Sequence, residues 1–380
     1  MTALIRPLGW GTLVAALATL GTGLTWEWSE FVMAALGLGA ALVVAAAFVL
    51  GRNSYRVTLD LARLRVKVGE EALGQIVVEN PTGRALLPSL AALVVGRGSA
   101  SFRIPRLAAG RRHDETFQIP TSRRAVVSVG PVRSWRGDGL GLLRREVSWS
   151  GSYELFVHPH TVSLQGSSAG FLRDLEGKPT DDLSSSDVAF HALREYVPGD
   201  DRRHIHWKTS ARIGKFMVRQ FEETRRSHLA LALSTDLEDY ADEDQLELAI
   251  AVAASLGIQA ITEGKDLTVV TSSGNLMTET GMRLLDDCSR VEPVRGQAQI
   301  QAVAVNAAAQ VPDASVAVLL AGSAPDPHAW RRAAARFPVD VTVVVVRCLP
   351  GAELKRRMLG GAVMLELGAL ADLPKGMRTV

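Results

Sequence analysis

Two histidines, His204 and His206, are separated by a single residue and follow the acidic pair Asp200 and Asp201, with His191 a short distance before them. Imidazole and carboxylate groups bind metal ions and transfer protons near neutral pH. Residues two apart on a helix face different directions, which disfavours a shared ligand site. We therefore expect a polar surface here, and the alternative is a metal-dependent hydrolase that uses Asp200, His204 and His206.

Arginine and lysine are dense between residues 202 and 226, a pattern that also occurs in proteins that bind phosphate or nucleic acid. Carboxylates are interleaved with these cations and the formal net charge is only +2, so internal ion pairs are expected and nucleic acid is not an expected partner. The chain has no phosphate-binding loop, nucleophile elbow or zinc spacing. We therefore predict no enzyme activity and no cofactor.

The same segment has the parts of a rigid joint. Pro198 and Gly199 predict a turn, and Asp200 or Asp201 is suited to cap the short helix that follows. Gly214 is placed to end that helix. We expect Trp207 to be a buried anchor. Further expected contacts are ion pairs of the cations Arg203, Arg212 and Arg219 with the acids Asp200, Glu195 and Glu222.

Three kinds of element must position this segment. Residues 228–380 alternate apolar strands with helices, and Asp244 is suited to cap the first of those helices, so a mostly parallel, doubly wound α/β sheet is predicted. Residues 52–162 alternate in period two between turn signals, which predicts an Ig- or fibronectin-like β-sandwich. Residues 163–227 are then a linker that carries the His- and Arg-rich segment.

Two apolar runs precede these domains, and each is long enough to span a bilayer as a helix, over about residues 8–25 and 31–51. The second run follows at once, which disfavours a cleaved signal peptide. Arg6 and the cations after residue 51 flank the pair, whereas Glu27 and Glu30 lie between the helices. The positive-inside rule places both termini and the soluble domains in the cytoplasm, on the inner membrane.

Only two cysteines are present, which fits a reducing compartment, and abundant Arg, Ala and Gly suggest a GC-rich bacterial source of actinobacterial type.

The His- and Arg-rich segment resembles the signature of the domain-of-unknown-function 58 family. The residues that carry the resemblance include Arg194, Tyr196, Pro198, Gly199, Asp200, Arg203, Trp207, Arg212, Arg219 and Glu222, and we expect these ten to form the partner-binding surface. The resemblance implies two membrane helices, a β region, a von Willebrand factor type A-like domain and a MoxR-type AAA+ ATPase as partner.

The resemblance also raises the question of a metal site, because type A domains often hold Mg²⁺ on an Asp-x-Ser-x-Ser loop after the first strand. Here Ser234 stands where the first Asp is needed. The weak candidate ligands are Asp236, Glu238, Asp239 and Asp242. Because the pattern is broken, we expect a solvated acidic loop with no metal, and a melting temperature that does not depend on divalent cations.

These observations favour a binding protein over an enzyme. The predicted function is that of a membrane-anchored scaffold whose cytoplasmic domain binds a protein partner, and the alternative is the hydrolase named above. The bilayer is the other predicted partner, and a homo-oligomer remains open.

Overall fold

The protein is described from a computed structural model. It covers residues 2–50, 55–86, 88–137, 140–164, 183–184, 189–198, 200–222 and 227–378. Most of residues 163–190, the first part of the predicted linker, and Gly199 of the predicted turn lie outside the described residues. The chain divides into two compact units, Met1–His158 and Pro159–Val380, and each is described by itself.

The first unit begins with two long apolar helices, α1 (Pro7–Thr25) and α2 (Ser29–Leu50), as predicted. Both are long and apolar enough to cross a membrane. A Cβ on Gly23 would lie 2.8 Å from a methyl carbon of Val32, so the absence of a side chain lets the two helices approach closely. The third helix that meets this test, Glu243–Thr262, is mostly buried in the second unit, which identifies it as a core helix.

The β-strands of the first unit form two sheets. The larger sheet contains β1 (Thr2–Ile5), β3 (Arg65–Lys67), β5 (Ser89–Val95), β6 (Gly98–Ile104), β8 (Ala125–Gly137), β9 (Leu143–Ser148) and β10 (Tyr153–His158). The smaller sheet contains β2 (Arg56–Leu61), β4 (Ala72–Glu79) and β7 (Arg112–Ile119), all antiparallel.

Alternation along the strands explains how the two sheets share one core. In β4, Ala72, Ile76 and Val78 are buried while Leu73, Gln75 and Val77 are more exposed, as the period of two requires. These side chains join a single apolar cluster with Leu93 and Leu155 of the larger sheet. The predicted period-two region therefore folds as two β-sheets over a common core.

One strand of the larger sheet was not predicted. The N-terminal strand β1 pairs antiparallel with β9, with Thr2 opposite Glu146 and Ile5 opposite Leu143. Such a short run before a proline carries no local strand signal, so only the sheet reveals it. The pairing brings the chain on the N-terminal side of α1 to the sheet that follows α2.

The second unit contains a small antiparallel sheet of β11 (Leu183–Ser184), β12 (Ala189–Glu195) and β13 (Met217–Glu222). Between β12 and β13 lie a 3-10 turn, Arg202–His204, and the short helix α3 (Trp207–Ile213). The His- and Arg-rich segment is thus a long connection between two paired strands.

The rest of this unit is an α/β sheet. Its strands are β14 (His228–Leu233), β15 (Asp266–Thr271), β16 (Gly274–Leu276), β17 (Val316–Ala321), β18 (Thr342–Cys348), β19 (Lys355–Leu359) and β20 (Ala362–Leu367). They lie in the order β16-β15-β14-β17-β18-β20-β19. The five central strands are parallel, and the edge strands β16 and β19 are antiparallel. The order reverses between β14 and β17, where ligands of open α/β sheets commonly bind.

The remaining helices are α4 (Glu243–Thr262), α5 (Gly281–Arg290), α6 (Ile300–Gln310), α7 (Pro327–Ala334) and α8 (Leu373–Arg378), and 3-10 turns lie at Leu237–Asp239 and Leu370–Asp372. The predicted cap of α4 was wrong by two residues. Asp242, in extended conformation, accepts a hydrogen bond from the backbone N–H of Gln245, and Asp244 lies inside the first turn. An N-cap must be extended, so the backbone conformation decides between two nearby aspartates.

Candidate functional site

The connection between β12 and β13 is held to the sheet by backbone contacts. The N–H of Tyr196 donates to the carbonyl of Phe216, and the N–H of His206 donates to the carbonyl of Met217, both at 2.8 Å. Ile205 forms an isolated bridge with Val218, and both side chains are buried. The segment is therefore positioned by its backbone and by Ile205.

Asp200 closes the turn at the start of this segment. Its carboxylate accepts from Arg194 Nη2 at 2.6 Å and from the backbone N–H of Val197 at 2.9 Å. The Arg194 hydrogen bond, followed by that from Val197, lowers the pKa of Asp200, and the same pairing raises the pKa of Arg194. We had expected Asp200 to pair with Arg203, Arg212 or Arg219, and that expectation was wrong, because Arg194 of β12 occupies the carboxylate.

The two histidines have different structural positions. Asp201 caps the turn Arg202–His204 by accepting from the N–H of Arg203 at 2.9 Å. His206 caps α3, because its Nδ1 lies 3.3 Å from the N–H of Thr209 and 2.7 Å from the Thr209 hydroxyl. We had expected both histidines to lie on one helix, and that expectation was wrong. Among the described residues, no group of three or more His, Cys, Asp or Glu lies close enough to hold a metal ion.

Gly214 ends α3 in the left-handed conformation at φ 75°, as predicted. The prediction for Trp207 was wrong, since its side chain is 63% exposed. Its ring lies 6.0 Å from that of Phe216, edge to face, and the Phe216 ring lies 6.3 Å from that of Tyr196. Ile205 and Ser210 point inward in its place, so this short helix turns its first residue to solvent.

The cations of the segment are also exposed. Lys215 pairs with Glu195 at 3.1 Å, but within the described chain Arg203, Arg212 and Arg219 have no ion pair. Their expected pairs with Asp200 and Glu195 were therefore wrong, and pairs with Glu222 stay predictions. Glu222 lies in β13 and its side chain is outside the described part. We call the aromatic cluster of Tyr196, Trp207 and Phe216, with the exposed cations Arg203, Lys208 and Arg212 of the same segment, the signature surface.

The acidic loop after β14, residues 234–242, has the opposite arrangement. Asp236 is fully buried, and its two oxygens accept from the backbone N–H groups of Glu238 at 3.1 Å, Gly296 at 3.2 Å and Gln297 at 2.9 Å. The carboxylate therefore links this loop to the segment that precedes α6. We had expected a solvated acidic loop, and at Asp236 that expectation was wrong.

Asp239 is buried at the N-terminus of α6. One of its oxygens accepts from the hydroxyl of Ser234 at 2.5 Å and from the N–H of Ile300 at 2.6 Å. Burial raises the pKa of Asp239, and the Ser234 hydroxyl and the Ile300 N–H oppose that rise. The phenol of Tyr240 donates to the carbonyl of Ser234.

The other two candidates for a metal site are also engaged. The carboxylate of Glu238 accepts from the amide of Gln299 at 2.8 Å, and Asp242 caps α4. Donor groups of the protein therefore occupy carboxylate oxygens that a cation would need. Sequence reasoning missed the donors of Gly296, Gln297, Gln299 and Ile300 because they lie about sixty residues away in the chain, and nothing local marks them as partners.

A model of the family described as "Protein of unknown function DUF58" matches residues 192–355, a range that includes the signature surface and the acidic loop. The chain is 29% identical over 143 residues to the uncharacterized protein YeaD of Bacillus subtilis. That match covers 37% of this chain and 34% of YeaD, so the chain spans about a third of the relative's length.

Solved structures match at lower similarity. The CARDB domain of a Pyrococcus furiosus protein is 11% identical, with a TM-score of 0.21 over 27% of this chain and 92% of that domain. A β-glucosidase from Listeria innocua is 15% identical, with a TM-score of 0.16 over 25% of this chain and 16% of the enzyme.

Proposed function

We propose that this protein is a membrane-anchored adaptor that binds a protein partner through the signature surface. The observation that carries the proposal is the exposure of Trp207 and Phe216 beside arginines that have no ion pair among the described residues. A few residues supply most of the binding energy at protein interfaces, and these residues are enriched in tryptophan, tyrosine and arginine. An exposed Trp that contributes little to the core is therefore well suited to enter a pocket on a partner.

The charge of the surface favours a partner with an acidic docking face, since exposed cations attract and orient such a face. A MoxR-type AAA+ ATPase is the partner that the family resemblance implies. The two apolar helices hold the adaptor at the bilayer, and the sheets of the first unit are proposed as an Ig-like spacer. The α/β unit, with parallel central strands and an antiparallel edge strand at each side, is proposed as von Willebrand factor type A-like.

The binding experiment uses the full chain in lipid nanodiscs and the MoxR-type AAA+ ATPase of the same organism. Trp207→Ala and Arg203→Ala are each expected to weaken binding about tenfold or more. The matched controls are Met282→Ala, an exposed apolar residue on α5, and Arg283→Ala, an exposed cation beside Glu279. Controls that weaken binding as much as the signature variants would contradict the proposed surface.

The orientation of the chain in the membrane is tested by a separate experiment. We propose that both termini and the soluble units are cytoplasmic, because cations flank the helix pair and Glu27 and Glu30 lie between the helices. A reporter that is active only outside the cytoplasm, fused after residue 380, is expected to be silent. An active fusion would place the signature surface outside the cytoplasm, away from an ATPase.

A further inference from the structure

A cavity of about 300 Å³ opens at the carboxyl ends of β17 and β18, beside the edge strand β19. The loop after β17 contributes Ser323 and Asp326, and α7 contributes Trp330. Arg347, Arg357 and Glu366 come from the strands. The cavity lies at the carboxyl ends of parallel strands, one strand away from the point between β14 and β17 where the strand order reverses. Its volume is in the range of small-molecule sites.

Two buried donors that line the cavity have no acceptor among the residues that the structure describes. The side chain of Trp330 is 1% exposed, and its indole N–H has no hydrogen-bond partner. The Nε of Arg347 is also buried and unpartnered, although Nη2 of the same group donates to the carbonyl of Ser323 at 2.9 Å. Buried polar groups nearly always have partners, so two donors around one cavity point to an acceptor supplied from outside.

The ion pairs around the cavity are long. Arg347 Nη1 lies 3.5 Å from one oxygen of Glu366, and Arg357 Nη2 lies 3.9 Å from the other. Arg357 is 65% exposed. One oxygen of Asp326 accepts from the N–H of Ala329 and caps α7. Both guanidinium groups therefore keep N–H groups for a further acceptor.

The charges that line the cavity define the ligand. Two arginines and two carboxylates line the cavity, so the formal charge of the lining is zero, and a monoanion adds less uncompensated charge than a doubly charged phosphate. Guanidinium groups bind carboxylates well, and an indole N–H is a further donor. Pro325, Met358 and Met364 give the cavity an apolar wall, and Met adapts to varied ligand shapes.

We propose that this cavity binds a carboxylate attached to a short apolar chain. The carboxylate belongs to a free organic acid or to the C-terminus of a polypeptide, and the two sources share the same recognition chemistry. The inference is independent of the proposed function, because it uses no residue of the signature surface.

The test uses the full chain in detergent with its seven tryptophans labelled as 5-fluorotryptophan, observed by fluorine NMR. The Trp330 signal is identified by its absence in Trp330→Phe. Hexanoate and an acetylated tripeptide ending in leucine are titrated separately, with hexanol as the uncharged control. A saturable shift of Trp330 with hexanoate alone indicates a free acid, and one with the peptide indicates a C-terminus. No shift with either, or an equal shift with hexanol, would overturn the proposal.

A pair of exposed arginines on the edge strand provides the matched variants. Arg357→Gln removes a cation that lines the cavity, and binding is expected to weaken about tenfold, the equivalent of one charge-assisted hydrogen bond. Arg356 precedes it on β19, is exposed and does not line the cavity, so Arg356→Gln is expected to bind like the wild type. Wild-type affinity in Arg357→Gln, or equal losses in both variants, would overturn the assignment.

Discussion

The acidic loop after β14 and the signature surface are both rich in charge, and they use it in opposite ways. In the acidic loop, buried carboxylates accept hydrogen bonds from backbone N–H groups near the N-terminus of α6. On the signature surface, Trp207 and several arginines are exposed, and Asp200 is the acid whose pairing holds the turn. The comparison shows that charge density alone does not distinguish internal structure from a binding surface.

The difference has a geometric cause. The acidic loop follows β14 at the carboxyl end of the parallel sheet. The segment that leads into α6 lies beside it and donates the N–H groups of Gln297 and Ile300. A buried carboxylate requires such donors, since an unpaired buried charge is very costly. The signature segment is a connection between two strands of a small sheet, and its backbone contacts already fix it. Its long side chains are therefore free to extend into solvent.

The largest expected effect is on the acidic loop. Asp236→Ala removes the acceptor of three backbone N–H groups, and we expect the free energy of unfolding to fall by about 3–5 kcal/mol. Glu238→Ala, an exposed neighbour in the same loop, is expected to cost under about 1 kcal/mol.

The measurement is pulsed thiol labelling of the full chain in urea. The only two cysteines, Cys288 and Cys348, are buried in the second unit, so labelling reports the unfolding of that unit alone. Burial raises the pKa of the Cys348 thiol, which keeps it unreactive in the folded state. Equal losses in Asp236→Ala and Glu238→Ala would mean that the buried hydrogen bonds do not hold the loop.

The second effect concerns the signature surface. Trp207→Ala is expected to reduce the free energy of unfolding by less than about 1 kcal/mol, because an exposed ring leaves no cavity. The same variant is expected to bind its partner about tenfold more weakly, or worse, in the nanodisc experiment. If thiol labelling shows that the free energy of unfolding falls by several kcal/mol, Trp207 is a buried anchor, as the sequence predicts.

The third effect is a pH dependence of opposite sign in the two regions. The pKa of Asp200 is lowered, so its contribution to stability is present above its ordinary pKa of about 3.9 and is lost as pH falls through the folded value. The pKa of Asp239 is raised, so its ionisation costs stability as pH rises from the ordinary value through the folded one.

The check compares each variant with the wild type as pH falls from 6 to 3. The stability difference between wild type and Asp200→Asn is expected to shrink towards pH 3. For Asp239→Asn, the free energy of unfolding of the wild type is expected to rise relative to that of the variant as pH falls from 6 to 3. Trends of the same sign at both positions would contradict the contrast between the two carboxylates.

The smallest expected effect is that of divalent metal. Because Asp236 and Asp239 already accept from N–H and hydroxyl groups, melting temperatures of the full chain in excess Mg²⁺ and in chelator are expected to agree. A cation at 100 times its dissociation constant would add about 2.7 kcal/mol, which a melt detects easily. A rise of many degrees with Mg²⁺ would show that the loop rearranges around a cation.

Much of the framework follows from local patterns. The apolar runs predict α1 and α2, the period of two predicts the β-sheets of the first unit, and Gly214 predicts the end of α3, since each depends on residues close together in the chain. The choice of Asp242 over Asp244 as the cap of α4 already needs a backbone conformation that composition does not specify.

The contacts of the candidate sites depend on residues far apart in the chain. The sequence by itself determined that Asp236, Trp207 and Trp330 are present and, approximately, in which elements they lie. Only the tertiary structure decided that Asp236 meets N–H groups about sixty residues away, that Trp207 faces solvent, and that Trp330 lines a cavity with Arg347. The physical reason is that burial and hydrogen-bond partners are set by how strands and helices pack, whereas periodicity records only which face of an element is apolar.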